Sequence, residues 1–339
     1  MDLKKAIQQV TKVIPKKSEL AQAYGFVRFV PPSKEGGLSR VYATDGSRLH
    51  LAQVETELPP ALLEAALLMQ AAKDPGEMRL ENYGYGKMEL QTEHNRYAFQ
   101  SADPDEFVSP PVVPEKAQCH LVERWAEVPQ VLHAAMPEKE DPDLAVVRFT
   151  PEYVEAMDKN RLARVEVEQS WAGLVQANLF KAWPKGKVHY WFSEETAYFW
   201  IGDELRMAPI RKSVYPATDA VIPKVHPGPS VLVPTKALDV AVKQGTAVSG
   251  LGLVNLAIEP ERVIVRAWQE GEVGENYEAD IPVYWGGKEH GNVLVNGKYF
   301  GQALKPVETP NVKLGYGHMA DPLRLESGNY IACLWQMVY

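Results

Sequence analysis

Two carboxylates are placed where acid–base chemistry could be sought. Asp45 and Asp158 each stand two residues after an alanine and three before an arginine, in Ala43-Thr-Asp-Gly-Ser-Arg-Leu49 and Ala156-Met-Asp-Lys-Asn-Arg-Leu162. A pair of carboxylates in unequal surroundings is one way to build a general acid and a general base. Both, however, fall in polar turn sequences between apolar runs, where an aspartate more commonly accepts from the backbone N–H groups of the turn. Capping, not catalysis, is therefore expected of them. Other chemistries find less support. Gly84-Tyr-Gly86 and Gly250-Leu-Gly252 complete neither GxGxxG nor a Walker loop and read as turns. GxSxG and HExxH are absent, and the eight histidines are scattered without ligand spacing. Cys119 and Cys333 lie far apart without CxxC or Cys/His spacing, which fits a reducing compartment and argues against zinc. No catalytic residue, metal or cofactor is expected, and the chain does not read as an enzyme.

Lysine spacing is more informative. Leu3, Ala6, Ile7, Val10 and Ile14 form an apolar stripe at helical spacing, which leaves Lys5 and Lys12 on the other side. The same seven-residue pairing recurs at Lys236 and Lys243, then at Lys298 and Lys305. Cations two helical turns apart on an exposed face can follow a phosphate backbone without reading bases. Lys17, Lys73 and Lys181 extend the set. A middle helix expected over Val122 to Ala135 departs from it, carrying Glu123 and Glu127 beside Arg124. A formal net charge of −8 argues against one broad basic face, although an acidic exterior around a basic lining would give the same total.

The elements that must position these lysines form an internal repeat. The segment around Ala43 is echoed around Ala156 and, more weakly, at Arg262-Val-Ile-Val-Arg-Ala-Trp268. The first two copies read as a strand, a tight turn on aspartate and a second strand. Amphipathic helices are expected to open the copies at Leu3 to Ile14, Val122 to Ala135 and Thr235 to Gln244. Shorter helices follow at Pro60 to Lys73, Gln176 to Trp183 and Gly297 to Lys305, and paired strands come after them. Proline-rich connectors at Ser109 to Pro114 and Pro223 to Pro229 mark boundaries. The expected division is residues 1–115, 116–224 and 225–339, each of ordinary domain size. The fold class is α+β, three mixed domains of helices and antiparallel strands.

Apolar residues at 45% and charged residues at 24% are those of a globular chain rather than a disordered one. Residues 1–17 lack the apolar run of a secretory signal, and no apolar stretch approaches the ~20 residues of a membrane span. A cytoplasmic protein is expected.

The two aspartate hairpins resemble the Ala-Thr-Asp-Gly-x-Arg-Leu-Ala motif of the bacterial DNA polymerase III beta sliding clamp family. Arg96-Tyr-Ala-Phe-Gln-Ser-Ala-Asp-Pro-Asp-Glu-Phe107, Leu205 to Pro216 and Asn329 to Met337 are similar to segments closing that family's three domains. The resemblance runs in order along nearly the whole chain. It implies the DNA clamp fold in a ring-shaped homodimer, with helices lining a central channel and antiparallel sheets outside. It also implies a processivity factor that encircles duplex DNA without regard to sequence and tethers the replicative polymerase. Polymerase and clamp loader would dock through a short linear peptide in a cleft formed by Leu144, Met157, Arg161, Leu162, Pro223, Leu334 and Met337. Tyr97 and Phe99 match positions of the dimer interface, and Lys17 matches a basic position that touches DNA. Met157 and Lys159 stand where the motif has threonine and glycine, and Leu334 to Tyr339 replaces the family's Met-Pro-Met-Arg-Leu ending. These departures would fit a clamp serving a divergent, virus-encoded polymerase. The alternative is a clamp-like regulatory protein that binds replication partners without encircling DNA.

Overall fold

The computed structural model describes residues 1–14, 24–109, 113–114, 118–122, 127–169, 171–180, 183, 187–222, 228–269, 276–286, 289–317 and 321–337. Lys17, Lys181 and Pro223 therefore lie outside the described residues. Compactness divides the chain into two units, one of residues 1–125 with 184–211 and the other of 126–183 with 212–339. The middle repeat contributes to both.

In the first unit, helix α1 (Leu3–Val10) starts because the Asp2 side chain accepts from the Lys5 amide at 2.8 Å, satisfying one of the orphan donors of the first turn. Its Leu3, Ala6, Ile7 and Val10 are buried, and the three larger ones stabilise the unit by roughly 1.5–3 kcal/mol each. Strands β1 (Phe26–Val30), β2 (Ser39–Thr44), β3 (Leu49–Val54) and β4 (Ala61–Glu64) belong to one antiparallel sheet. It continues through β8 (His120–Val122), β13 (Val188–Phe192), β14 (Thr196–Ile201) and β15 (Glu204–Arg211), in the order β8-β13-β14-β15-β3-β2-β1-β4. Ala61-Leu-Leu is a strand rather than the start of the expected Pro60 to Lys73 helix, and helix α2 covers only Ala65–Ala71. Pairing of Ala61 to Glu64 with β1 takes those residues' backbone bonds. After α2 come β5 (Arg79–Gly84), β6 (Lys87–Gln91) and β7 (Arg96–Gln100), a three-stranded sheet with β7 at an edge.

The second unit opens with α3 (Glu127–Val131) and a single 3-10 turn at Leu132–Ala134. This is much shorter than the expected Val122 to Ala135 helix. Val122 belongs to β8, and in a helix begun at Val122 Pro129 would be interior, lacking the N–H for the bond four residues back, whereas in the first turn of α3 it costs no bond. Likewise Gln176 ends strand β12 (Gly173–Gln176), and only Ala177–Phe180 coils, as a 3-10 turn. One antiparallel sheet runs β12-β9-β10-β11-β24-β23-β22-β16-β20. Its other strands are β9 (Val146–Phe149), β10 (Tyr153–Met157), β11 (Arg161–Glu166), β16 (Ser230–Pro234), β20 (Trp285–Gly286), β22 (Asn311–Gly315), β23 (Leu323–Ser327) and β24 (Tyr330–Leu334). The pairing of β11 with β24 is what joins middle and last repeats. A second sheet has the order β19-β18-β17-β21, from β17 (Leu253–Ile258), β18 (Arg262–Trp268), β19 (Asn276–Pro282) and β21 (Gly291–Asn296). Helices α4 (Thr235–Val248) and α5 (Gly297–Leu304) pack against each other beside it. Gly297 is needed at their contact, since a Cβ there would come within 2.1 Å of Thr246 Oγ1.

Two described histidines are enclosed, His50 buried in the first unit and His133 half-buried in the second. His50 is wrapped by β3 neighbours with its Nδ1 3.4 Å from the Gln9 carbonyl, and His133 has its Nε2 2.8 Å from the Tyr330 hydroxyl. Burial lowers both to about 3, aided at His50 by Arg206 and at His133 by Arg161. The folded imidazoles therefore stay neutral while those of the unfolded chain take up protons below about pH 6.5. Stability should fall as pH drops from 6.5 towards 3, by up to about 1.4 kcal/mol per pH unit for each histidine. Urea titrations at pH 7 and pH 5 check this. His133→Gln should flatten the dependence for the second unit, and an unchanged slope would mean that carboxylates alone set the acid sensitivity.

Candidate functional site

The two aspartate hairpins are built alike. Asp45 Oδ1 accepts from the amides of Ser47 and Arg48 at 3.0 and 2.7 Å, while Arg48 Nε donates to Oδ2 at 2.8 Å. Asp158 Oδ1 accepts from Asn160 and Arg161 at 2.7 and 3.0 Å, and Arg161 Nε donates to Oδ2 at 2.9 Å. Both carboxylates are consumed by turn closure. Gly46 has φ +88°, whereas Lys159 keeps negative φ, Tyr85 being the only non-glycine with positive φ among the described residues. The middle turn thus does without the glycine of the first. No group of three His, Cys, Asp or Glu among the described residues is placed to hold a metal.

Strand alternation sorts the expected peptide-cleft residues onto two faces of the second unit's sheet. Arg161 and Leu334 are register partners facing helix α5. The Arg161 guanidinium lies 4.1 Å over the Tyr299 ring and donates to Gln302, and it is only 7% exposed, so it ties the hairpin to that helix. Met337 sits on this side too, in a small cavity of about 100 Å3 lined by Asn160, Asn296, Tyr299, Leu334, Trp335 and Met337. On the opposite face Leu162 packs with Ile222 and Cys333, and Met157, Val221, Ile331 and Trp335 border them. Burial pushes the Cys333 thiol up to about 12, so it acts there as an apolar group. Leu144 is half-buried on the loop before β9, its carbonyl accepting from the Met136 amide, and does not belong to this cluster. One patch therefore gathers Met157 and Leu162, with Ile222, Ile331 and Trp335 added. Ile222 and Ile331 lie more than 50 residues of chain from Leu162, where no local pattern could link them, while Trp335 stands in the altered ending, where an aromatic wall is expected.

A buried charge network holds the patch in place. Glu155 is fully buried and accepts from Arg164 Nε and Nη2 at 3.0 and 2.8 Å, from Arg148 Nη1 at 3.1 Å and from Thr218 Oγ1 at 2.8 Å. Arg164 stacks 3.6 Å over the Tyr153 ring and also donates to Asp219 at 3.0 Å. That bond holds the Asp219 carboxyl below its usual range. Thr218 in turn accepts through its carbonyl from the Val221 and Ile222 amides. Glu155 thereby positions Ile222 against Leu162.

The lysines group differently. Lys5 and Lys12 in the first unit, Lys73 just after α2, Lys236 and Lys243 on α4, Lys298 on α5 and Lys305 at its end are all exposed. Lys243 pairs with Asp239 one turn back. Asp239 is the only carboxylate within α1, α2, α4 or α5, so a chain with a net charge of −8 keeps these helices almost free of negative charge. The described residues of α3 and its 3-10 turn bring no lysine.

Strand β7 pairs only with β6 among the described residues, leaving an open edge. Phe99 points into the first unit's own core at 7% exposure, and Tyr97 packs on that core while its hydroxyl donates to Asp74 Oδ2 at 2.9 Å. The expected aromatic pair is thus not an exposed patch, and what the edge offers is backbone. In the second unit β21 is covered by the chain end, Met337 N donating to the Leu294 carbonyl at 2.8 Å, while β19 is an edge of the same sheet.

No protein-family profile and no curated protein matches the sequence. Solved structures do match it in shape. The chain is similar to the DNA polymerase sliding clamp of Bacillus subtilis, with 16% identity, 99% of this chain and 97% of that one covered, and a TM-score of 0.84. It is similar to the DNA polymerase III beta subunit of Thermotoga maritima, with 18% identity, 100% and 97% covered, and 0.83. A putative DNA polymerase III beta subunit from Eubacterium rectale gives 13% identity, 99% and 97% covered, and 0.85. At this identity the likeness is one of backbone, and over its whole length the chain has the fold of the bacterial DNA polymerase III beta sliding clamps.

Proposed function

We propose that the protein is a DNA sliding clamp, a non-enzymatic processivity factor of the cytoplasm. In this reading residues 1–115, 116–224 and 225–339 are three copies of one domain, and two chains close head to tail around duplex DNA. The observation that carries it is the placement of charge. An acidic chain with the clamp fold keeps helices α1, α4 and α5 lysine-bearing with Asp239 as their one carboxylate, which suits a phosphate-facing surface, and leaves most of the negative charge to strands and loops. Contacts of this kind are independent of base sequence and sensitive to salt. Open edges at β7 and β19 are of the type that pairs with another chain, which supports closure through strand addition. Leu162, Ile222 and Cys333 are themselves buried, and the half-buried Met157, Val221, Ile331 and Trp335 around them form the accessible apolar surface that supports docking of a short peptide from the polymerase or its loader, a mode in which a few apolar anchors carry most of the affinity.

The test is retention on DNA after loading. On nicked circular DNA passed through a sizing column in moderate salt, the protein should co-elute with the circle. Linearising the circle should release it. Equal retention on circle and line would indicate ordinary binding and defeat the clamp reading.

A further inference from the structure

Through Ile222 and Ile331 the apolar patch runs on into a cleft of about 1110 Å3 on the same face of the second unit. Tyr153, Ile222 and Ile331 give it an apolar floor. Two guanidiniums line it as well, and both are engaged: Arg164 by Glu155 and Asp219, Arg324 by Glu326 at 2.5 Å. The carboxylates on the rim are not matched in the same way. Glu152, Glu166 and Glu168 are exposed, and no ion pair among the described residues uses them. The cleft therefore offers an apolar floor beside unneutralised negative charge, next to the surface that would hold a peptide's anchors.

We infer that the docked partner is a linear peptide carrying lysine or arginine beside its apolar anchors, and that this cleft receives those basic residues. The inference rests on the docking reading of the Leu162 patch. A long cationic side chain suits both features at once, its aliphatic stem lying on Ile222 and Ile331 and its head reaching Glu166 or Glu168. An acidic flank would meet three like charges, and the arginines that could offset them are already neutralised. Such charges mainly select among partners, because a like-charge encounter is penalised more strongly than an exposed pair is rewarded.

The experiment uses the full chain and two fluorescein-labelled peptides that share a leucine and a phenylalanine anchor. One is flanked by Lys-Arg-Lys, the other by Glu-Asp-Glu. By anisotropy the basic peptide should bind about tenfold more tightly at 50 mM salt, and the preference should shrink to about twofold at 500 mM, as expected for exposed pairs. Glu166→Lys with Glu168→Lys, both surface changes, should abolish or reverse the preference, while Trp335→Ala should weaken both peptides alike. Equal binding of the two peptides, with both still weakened by Trp335→Ala, would overturn the basic-flank inference and leave the docking patch standing. A preference that survives the double substitution would trace to overall charge and would equally overturn it. If neither peptide binds, or Trp335→Ala changes nothing while the variant keeps its thermal transition, the docking reading itself is lost and this inference with it.

Discussion

Glu155→Ala should destabilise the second unit by about 3–5 kcal/mol, the usual consequence of removing one partner from a buried ion pair. The size follows from what is left behind. Arg164 is 7% exposed and Arg148 only partly exposed, so two guanidiniums would lose their common carboxylate with little water to replace it, and Thr218 would lose its acceptor. Glu155→Gln keeps the shape and one acceptor oxygen and should cost less. Asp219→Ala removes a pair whose carboxylate is 76% exposed and should change stability by less than about 1 kcal/mol. Urea midpoints at constant m separate the three. The Gln variant should also bind an anchor peptide more weakly while remaining folded, because the Thr218 bond sets where Ile222 sits against Leu162. If Glu155→Ala lost less than about 1 kcal/mol, the network would not be what secures the 218–222 segment.

How much of this was legible in the residues depends on the distance over which each feature is encoded. Asp45 and Asp158 were readable as turn caps, because the aspartate, the two amides and the arginine all lie within four residues. Helices α1, α4 and α5 were readable from apolar stripes with lysines seven apart. The middle repeat was not, since Pro129 and the strand ending at Gln176 cut short what the apolar periodicity suggested. The docking patch was legible only in part. A motif names Arg161 and Leu162 together, but neighbouring residues of a strand face opposite ways, so one is spent on helix α5 and the other forms the patch. Trp335 was readable as an aromatic wall from the altered ending, whereas Ile222 joins Leu162 through the Glu155–Thr218 bond, a contact with no local signature. Tyr299, which receives the Arg161 guanidinium, likewise carries no local signature.

Replacing Lys236, Lys243, Lys298 and Lys305 together with alanine should flatten the dependence of log K on log salt by about 3 to 4, since each duplex phosphate contact contributes about 0.9. At low salt the same change should weaken DNA binding by two orders of magnitude or more, the largest functional effect expected from any surface substitution in this chain. Folding should be untouched, because all four side chains are exposed and the helices bury their opposite faces: Leu238, Ala241, Val242 and Gly245 on α4, and Phe300, Ala303 and Leu304 on α5. Placement rather than total charge is the point at issue, so the control is Lys87→Ala with Lys159→Ala. These lysines are also exposed, but one stands at the start of a strand and the other in a hairpin turn, so neither is carried by a helix. Their loss should leave the slope unchanged. Among the four, Lys243 should contribute least, its ammonium being shared with Asp239, and Asp239→Asn should free it and steepen the slope slightly. Equal flattening by the strand and turn lysines would show that DNA responds to net charge alone, and the helices would then be ordinary solvated surface.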